Sequence, residues 1–167
     1  MPTPDYDNLF IGQYIRAIEN PDSIGFSNGL WLQSPREVDD PNNRGFGVDV
    51  KYNKAALNVV KDRNGKWLTE QEEGDLRNSH IRESMRVLDK WTPKMLASPP
   101  SNTKSAMAAG MLYRGDGIKS IVKDPAMRDV YYSGSDTDFS NAVEAFYRDR
   151  GTKHYQPERA KNHARFM

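Results

Sequence analysis

Thr69-Glu-Gln-Glu72 begins the longest helical pattern in the chain. Its Thr hydroxyl and Glu carboxylate, three residues apart, form a capping box in which each side chain satisfies a backbone N–H at a helix start. The side chains that follow at helical spacing predict one long helix over about 69–90, closed by Trp91-Thr-Pro93. These side chains are Leu76, His80, Met85, Leu88 and Trp91.

On the N-terminal side, residues 6–19 carry apolar side chains at helical spacing, and Pro21 ends the pattern. Glu19 therefore lies at or near the C-terminal end of a short helix. The helix dipole disfavours a negative charge at that end, so a purely structural sequence would more often place Lys or Arg there. Glu19 is accordingly the first candidate for a functional residue.

The segment between these two helices is rich in turn-forming residues and predicts short strands. Leu30–Leu32 is one strand candidate. Phe46–Tyr52 is the other, because apolar residues alternate there with small or polar ones, as in a half-buried strand. A short helix is predicted over Lys54–Val60, ended by Asp62-Arg-Asn-Gly65.

The C-terminal half is predicted to be helical with intervening turns. Gly115 stands where a helix C-cap favours glycine, and Pro157 stands at a first-turn position. The predicted helices are Thr103–Tyr113, Ile118–Val122, Asp138–Arg148 and Pro157–Phe166.

These elements predict an α+β, mostly helical fold in a single domain of residues 1–167. A small β-rich lobe covers about 20–65, the long helix covers about 69–90, and a helical lobe covers about 91–167 together with the N-terminal helix. A groove between two lobes is a common place for a polymer to bind.

Composition excludes several functional classes. The 24 Lys and Arg nearly balance the 23 Asp and Glu, so no overall field attracts nucleic acid. No run of roughly 18 apolar residues predicts membrane insertion, and the first residues lack the pattern of a secretion signal. We therefore expect synthesis in the cytoplasm and, for any action outside it, delivery by another system.

The chain has no cysteine, which excludes thiol peptidases and disulfide frameworks. His80, His154 and His163 match no metal-binding spacing, so we expect neither a metal nor a cofactor, and interpret all three as surface or helix-flanking residues. Basic residues dominate 148–165, which indicates either a solvated helical face or a surface for an anionic polymer.

The order of these segments resembles the phage-type lysozymes and the related pesticin-like muramidases. Ile15-Arg-Ala-Ile-Glu19 is similar to the family's first helix, which ends in the catalytic Glu, and Asn43-Arg-Gly-Phe-Gly-Val-Asp49 is similar to its Thr-Ile-Gly-x-Gly hairpin. Three later stretches also resemble the family, in its interlobe helix, its buried helix and its final Pro-x-Arg-Ala helix. They are Asn64–Glu72, Ala106–Gly115 and Tyr155–Lys161.

The resemblance implies a lysozyme-like fold and hydrolysis of the bond between N-acetylmuramic acid and N-acetylglucosamine in peptidoglycan. Such hydrolysis uses one carboxylic acid that protonates the leaving oxygen and a second carboxylate that either activates water or stabilises the oxocarbenium-like transition state. Glu19, beside Ile15 and Ile18, would be the acid, because apolar neighbours favour the protonated form. Asp49, on a strand beside a polar loop, would be the ionised partner.

The sequence also departs from the family's pattern. Asn43 stands where the family has the Thr that holds the attacking water, and Arg44 replaces an apolar residue. The segment before the glycine motif is longer than in the phage lysozymes. Asp40 and Asp39 are therefore alternative candidates for the second carboxylate, and Glu37 is a further one. Asn43 either orients the water or forms a turn.

Three aromatic residues are candidates for stacking on sugar faces, although core packing is the expected role of at least two of them. They are Trp31, Tyr52 and Tyr113.

Two other functions stay open on the sequence. A lytic transglycosylase would cut the same glycan with one Glu and leave an anhydro sugar, and a non-catalytic wall-binding or tail protein would keep the fold without the chemistry. The expected partner is the peptidoglycan glycan strand, with an immunity or inhibitor protein as a further partner if the chain is an antibacterial effector. We expect a monomer.

Overall fold

The computed structural model describes residues 5–91 and 100–167 and has an α+β, mostly helical fold, as the sequence predicts. Residues 92 and 93 of the predicted helix end lie outside the described residues. The helices are α1 (Phe10–Glu19), α2 (Lys54–Val60), α3 (Glu70–Trp91), α4 (Asn102–Arg114), α5 (Lys119–Val122), α6 (Pro125–Ser133), α7 (Asp136–Arg148) and α8 (Pro157–Phe166), with a 3₁₀ turn at Lys61–Arg63.

The strands form two small antiparallel sheets. A three-stranded sheet has the order β1 (Phe26–Ser27), β2 (Leu30–Leu32), β5 (Trp67–Thr69), with Trp31 opposite both Phe26 and Leu68. A two-stranded hairpin pairs β3 (Asn43–Arg44) with β4 (Val48–Asp49), and Asn43 lies opposite Asp49.

The buried apolar side chains form two hydrophobic clusters. The smaller one lies under the strands and α2 and includes Trp31, Phe46 and Leu68. The larger one gathers the buried faces of α1, α4, α6 and α7. Helix α3 contacts α4 on one side and β2, β4 and β5 on the other, so it connects the strand region to the helical region.

The capping box at the start of α3 forms as predicted. The backbone N–H of Glu72 donates to Thr69 Oγ1 over 3.1 Å, and the N–H of Thr69 donates to Glu72 Oε1 over 2.9 Å. We expect Thr69→Ala to lower the free energy of unfolding by about 1 kcal/mol, because one N–H at the helix start loses its partner. Urea denaturation measures this loss. Ser79→Ala, on the exposed face of α3, is the control and should change stability little.

The prediction of a strand over Phe46–Tyr52 was wrong for most of its length. Only Val48–Asp49 is a strand, because Gly45 and Gly47 have φ values of +61° and +84° and form a tight turn where regular pairing stops. The alternating pattern reflects burial of Phe46, Val48 and Val50 rather than a continuous ladder. The hairpin of β3 and β4 agrees with the hairpin that the resemblance implies over Asn43–Asp49. Helix α6 and strands β1 and β5 were not predicted.

The interpretation of all three histidines as surface or helix-flanking residues was also wrong in part. His163 is only 1% exposed, and its Nδ1 lies 2.7 Å from Tyr14 Oη and its Nε2 2.9 Å from Ser140 Oγ. Burial lowers the pKa of His163, so this ring is neutral at pH 7. His80 and His154 are half-buried beside aromatic rings.

Candidate active site

Glu19 is the last residue of α1 and faces the glycine turn of the hairpin. Its side chain is only 13% exposed, and Oε2 lies so close to Gly47 that a Cβ added there would be 3.2 Å from it. A glycine at 47 therefore allows both the positive φ and the close approach of the carboxyl group. The next residue, Asn20, fixes this arrangement, because its Nδ2 donates to Gly45 O over 3.1 Å.

Arg159 of α8 forms an ion pair with Glu19 through Nη1 and Oε1. Its side chain is 5% exposed, and Nη2 donates to Gly110 O over 2.9 Å. Burial lowers the pKa of Arg159, but the Glu19 carboxylate and other neighbours outweigh burial and raise it overall. Only apolar neighbours were predicted beside Glu19, so this buried guanidinium is an addition to the predicted surroundings.

Glu19 shares one cleft with Asp39, Asp40 and Asn43. The cavity at its base measures about 110 Å³, which is well below the roughly 300 Å³ at which small-molecule sites begin. A sugar strand would have to lie across the open side of this cleft rather than inside it. Its other lining residues are Asn20, Ile24, Leu32, Ser34, Arg36, Gly45 and Gly47.

Asp39 is held by its neighbours. Arg36 donates to both carboxylate oxygens, from Nε over 2.8 Å and from Nη2 over 2.9 Å, and Ser34 Oγ also donates to Oδ2. Burial raises the pKa of Asp39, but the hydrogen bonds from Arg36 and Ser34 outweigh burial and lower it overall. With both oxygens occupied, Asp39 is poorly placed to activate a water.

Asp40 and Asp49 each have one oxygen tied to a backbone turn. Asp40 Oδ1 accepts from the N–H of Asn42 over 2.8 Å, and Asp49 Oδ1 accepts from the N–H groups of Lys51 and Tyr52, both over 2.7 Å. Asp40 lines the Glu19 cleft directly. Asp49 lies outside that lining, but it is the cross-strand partner of Asn43.

Directly opposed residues of an antiparallel pair project to the same face, with Cβ atoms about 5 Å apart. Asp49 is therefore placed beside Asn43, which lines the cleft. The competing carboxylate Glu37 is exposed.

Arg44, which departs from the apolar residue of the resembled motif, anchors the hairpin. It is 6% exposed, and its guanidinium donates to four backbone carbonyls, including Pro41 O over 2.6 Å and Gly65 O over 2.8 Å. Burial lowers the pKa of Arg44. This arginine joins the turn before β3 to the turn before β5 and takes no direct part in the cleft.

The stacking role was wrong for two of the three aromatic candidates. Trp31 and Tyr113 are 4% and 3% exposed and pack in the two hydrophobic clusters, so neither presents a ring face to a sugar. Tyr113 instead donates its hydroxyl to Phe46 O, inside the glycine turn. Tyr52, next to the Asp49 turn, is 72% exposed, and its role in binding sugar stays a prediction.

Sequence reasoning missed two charged residues that shape this region. Arg159 was counted with the basic C-terminal residues, although its place in the Pro-x-Arg-Ala motif was a signal that it differs from them. Glu73 is 1% exposed beneath the glycine turn, and its signal was its position on the same helix face as Ile81 and Leu88. Among residues 5–91 and 100–167, no group of three or more side chains is arranged to hold a metal ion.

None of the described helices is both long and apolar enough to cross a membrane. In comparisons with protein-family models, curated proteins and solved structures, no match to this chain is found.

Proposed function

We propose that this chain is a peptidoglycan N-acetylmuramidase with a lysozyme-like fold, in which Glu19 is the general acid. The proposal rests mainly on one observation. A carboxyl group at the end of the first helix is held against a glycine turn, across a cleft from an amide and further carboxylates. Glycoside hydrolysis requires such a pair of carboxyl groups in different surroundings.

In this scheme Glu19 donates a proton to the leaving oxygen and becomes a carboxylate. A glycan strand lying over the cleft excludes water from Glu19, which favours the protonated acid before the reaction. Arg159 stabilises the Glu19 carboxylate that forms as the proton leaves. The ion pair therefore contributes most after the bond has broken.

The second group in the scheme is Asp49, with Asn43 beside it to orient the attacking water. The oxygen of Asp49 that is not tied to Lys51 and Tyr52 is the one available to accept a proton from that water. An inverting mechanism requires roughly 6.5 to 9.5 Å between the two carboxyl groups, which leaves room for a water. Asn43 lines the cleft with Glu19 and is the cross-strand partner of Asp49.

We expect Asp49→Asn to lower the rate of glycan cleavage by about 10²-fold or more, because the water loses its general base. Asp40→Asn is the matched comparison, since it makes the same change in a carboxylate that also caps a turn. Dye release from labelled sacculi measures both variants. A large loss for Asp40→Asn with little loss for Asp49→Asn would assign the base to Asp40 instead.

The function itself is tested on purified Gram-negative sacculi digested with the wild-type protein. Mass spectrometry of the products should show reducing N-acetylmuramic acid ends that carry one added water. Anhydro ends would instead identify a lytic transglycosylase, and the absence of any new ends would remove the enzymatic proposal. Oxygen-18 water supplies an independent check, because hydrolysis transfers its label to the product.

A second candidate is a non-catalytic wall-binding or tail protein of the same fold. The observation that favours it is the Glu19–Arg159 ion pair, which gives Glu19 a structural role without any chemistry. Retention on sacculi in a pelleting assay, without new glycan ends, would support it.

For the biological setting, we propose a monomer that is made in the cytoplasm and delivered to the cell wall by another system. Its partner there would be the peptidoglycan strand. An inhibitor protein that covers the Glu19 cleft would accompany it if the chain is an antibacterial effector.

A further inference from the structure

Four charged side chains lie around Phe46 of the glycine turn, and together with Phe46 we call them the Glu73 cluster. Glu73 of α3 is 1% exposed, and its Oε2 accepts a long hydrogen bond of 3.4 Å from the backbone N–H of Phe46. A Cβ added to Gly45 would lie 2.5 Å from Glu73 Cγ, so the turn rests directly on this side chain. The cluster consists of Asp7, Arg16, Phe46, Glu73 and Arg77.

The charges of the cluster connect three separate elements. Arg77 lies 3.4 Å from Glu73 and 3.3 Å from Asp7, and Arg16 of α1 lies 3.3 Å from the same Asp7 oxygen. The guanidinium groups of Arg16 and Arg77 lie 4.6 and 4.7 Å from the centre of the Phe46 ring. The segment before α1, α1 itself and α3 therefore all meet at the residue in the middle of the turn.

Not every polar atom of the cluster is satisfied. Within the described part of the chain, Arg77 Nε and Nη1 and Asp7 Oδ1 are buried without a hydrogen-bond partner. Buried polar atoms of this kind are costly, and where they persist they often mark a place that is held for function. The stability of the fold alone therefore does not explain why this cluster is present.

The other end of the same turn contacts the candidate acid. Gly47 lies against Glu19 Oε2, and Phe46 O accepts from the Tyr113 hydroxyl. The three residues Gly45, Phe46 and Gly47 therefore connect Glu73 on one side to Glu19 on the other. Any shift of the turn changes the space beside the Glu19 carboxyl group.

We propose that Glu73 is a positioning residue, which holds the Gly45–Gly47 turn against Glu19 and does so more firmly when its carboxyl group is protonated. This inference rests on the proposed function, since it assigns Glu73 a part in glycan cleavage. Ionised Glu73 attracts Arg77 and is the stronger acceptor for the Phe46 N–H. The turn that covers Glu73 keeps water from the carboxylate, however, and this cost of burial outweighs both attractions. Glu73 itself does not reach the substrate.

The surroundings place this change of charge near neutral pH. Burial raises the pKa of Glu73 to about 7, although Arg77 and the Phe46 N–H act in the opposite direction. Because the folded chain binds this proton more tightly than an unfolded chain with an ordinary glutamate, protonated Glu73 favours the closed turn, and this contribution is lost as the pH rises through about 7. The charged and titratable groups that face Glu73 are Asp7 of the N-terminal segment, Arg16 of α1, Arg77 of α3 and Tyr113 of α4.

The first test follows the environment of the turn by NMR and needs no activity measurement. In the ¹⁵N-labelled full chain, the amide signal of Phe46 should titrate with a midpoint near pH 7, and the signals of Gly45 and Gly47 should follow it. Glu73→Gln should abolish this titration. Glu70→Gln makes the same change at an exposed position in the first turn of α3 and should leave it intact. The wild-type titration alone is informative if Glu73→Gln does not fold.

The second test measures the rate. Wild-type kcat on labelled sacculi should fall between pH 6 and 8 by roughly fivefold, because ionisation of the buried Glu73 carboxyl group favours a hydrated arrangement in which the turn moves away from Glu19. Glu73→Gln should lack this fall and keep its KM, and Glu70→Gln should behave as the wild type. Glu73→Leu, which removes the acceptor, should lower kcat about tenfold or more at pH 6.

The outcomes separate the two proposals. A Phe46 amide that does not titrate in the wild type, or that still titrates in Glu73→Gln, overturns the positioning role whatever the activity. A titrating amide with identical pH profiles for wild type and Glu73→Gln overturns its link to catalysis. A wild-type protein that cleaves no glycan removes the proposed function, and the amide titration then decides only whether Glu73 holds the turn.

Discussion

Glu19→Gln is expected to lower the rate of glycan cleavage by about 10²- to 10⁴-fold, the contribution of a positioned general acid. The amide matches the carboxyl group in size but cannot donate a proton to the leaving oxygen. Clearing of outer-membrane-permeabilised Gram-negative cells gives a direct measurement, and product analysis on sacculi confirms that the same bond is involved.

The fold should survive this change with reduced stability, because the buried Arg159 loses its charged partner. The amide oxygen of the substituted side chain can still accept from Arg159, which limits the loss, and the space beside Gly47 is unaltered. Glu158→Gln is the matched control, because Glu158 lies next to Arg159 with a side chain that is 79% exposed. Equal clearing by the wild-type protein and Glu19→Gln would remove Glu19 as the acid and favour the non-catalytic alternative.

Arg159→Met should have the largest effect on stability. The substitution keeps most of the side-chain volume but removes a buried cation that contacts Glu19 and Gly110. Loss of one partner of a buried ion pair costs about 3 to 5 kcal/mol, because the other charge stays desolvated without compensation. The free energy of unfolding from urea denaturation at pH 7 measures the change.

Two further variants show whether loss of the ion pair causes the loss of stability in Arg159→Met. Lys161→Met removes a cation two residues away whose side chain is 68% exposed, and should change stability by less than about 1 kcal/mol. In the Glu19→Gln background, Arg159→Met should cost less than in the wild type, since no carboxylate is then stranded. An Arg159→Met variant as stable as the wild type would show that the ion pair contributes nothing to folding.

The elements that could be predicted are those with a local cause. The capping box at Thr69 and the proline at 157 fixed where α3 and α8 begin, and the observed bounds of α2 and β2 match the predicted ones. Local hydrogen bonds and backbone restrictions depend on residues within one turn of each other, so they can be read from the sequence. The position of Glu19 at the end of α1 follows in the same way from Pro21.

The surroundings of the candidate site could not be predicted to the same degree. Trp31 and Tyr113 are of aromatic residue types that can stack on sugars, but both are buried in the folded chain. Arg159 and Glu73 have the composition of solvated surface residues, but they contact Glu19 and the glycine turn from 140 and 27 residues away in the chain. The side of a helix that becomes buried depends on how all the elements pack together in the folded chain.

The sequence by itself determined the mostly helical α+β class, the starts and ends of most helices, and the place of one carboxyl group at the end of the first helix. Only the tertiary structure decided what that carboxyl group meets: Arg159 on one side, Gly47 on the other, and Asn43 and Asp40 across a shared cleft. The physical reason is the separation along the chain over which each interaction acts. Helix capping and turn formation act over a few residues, whereas burial and ion pairing join groups that only the folded chain brings together.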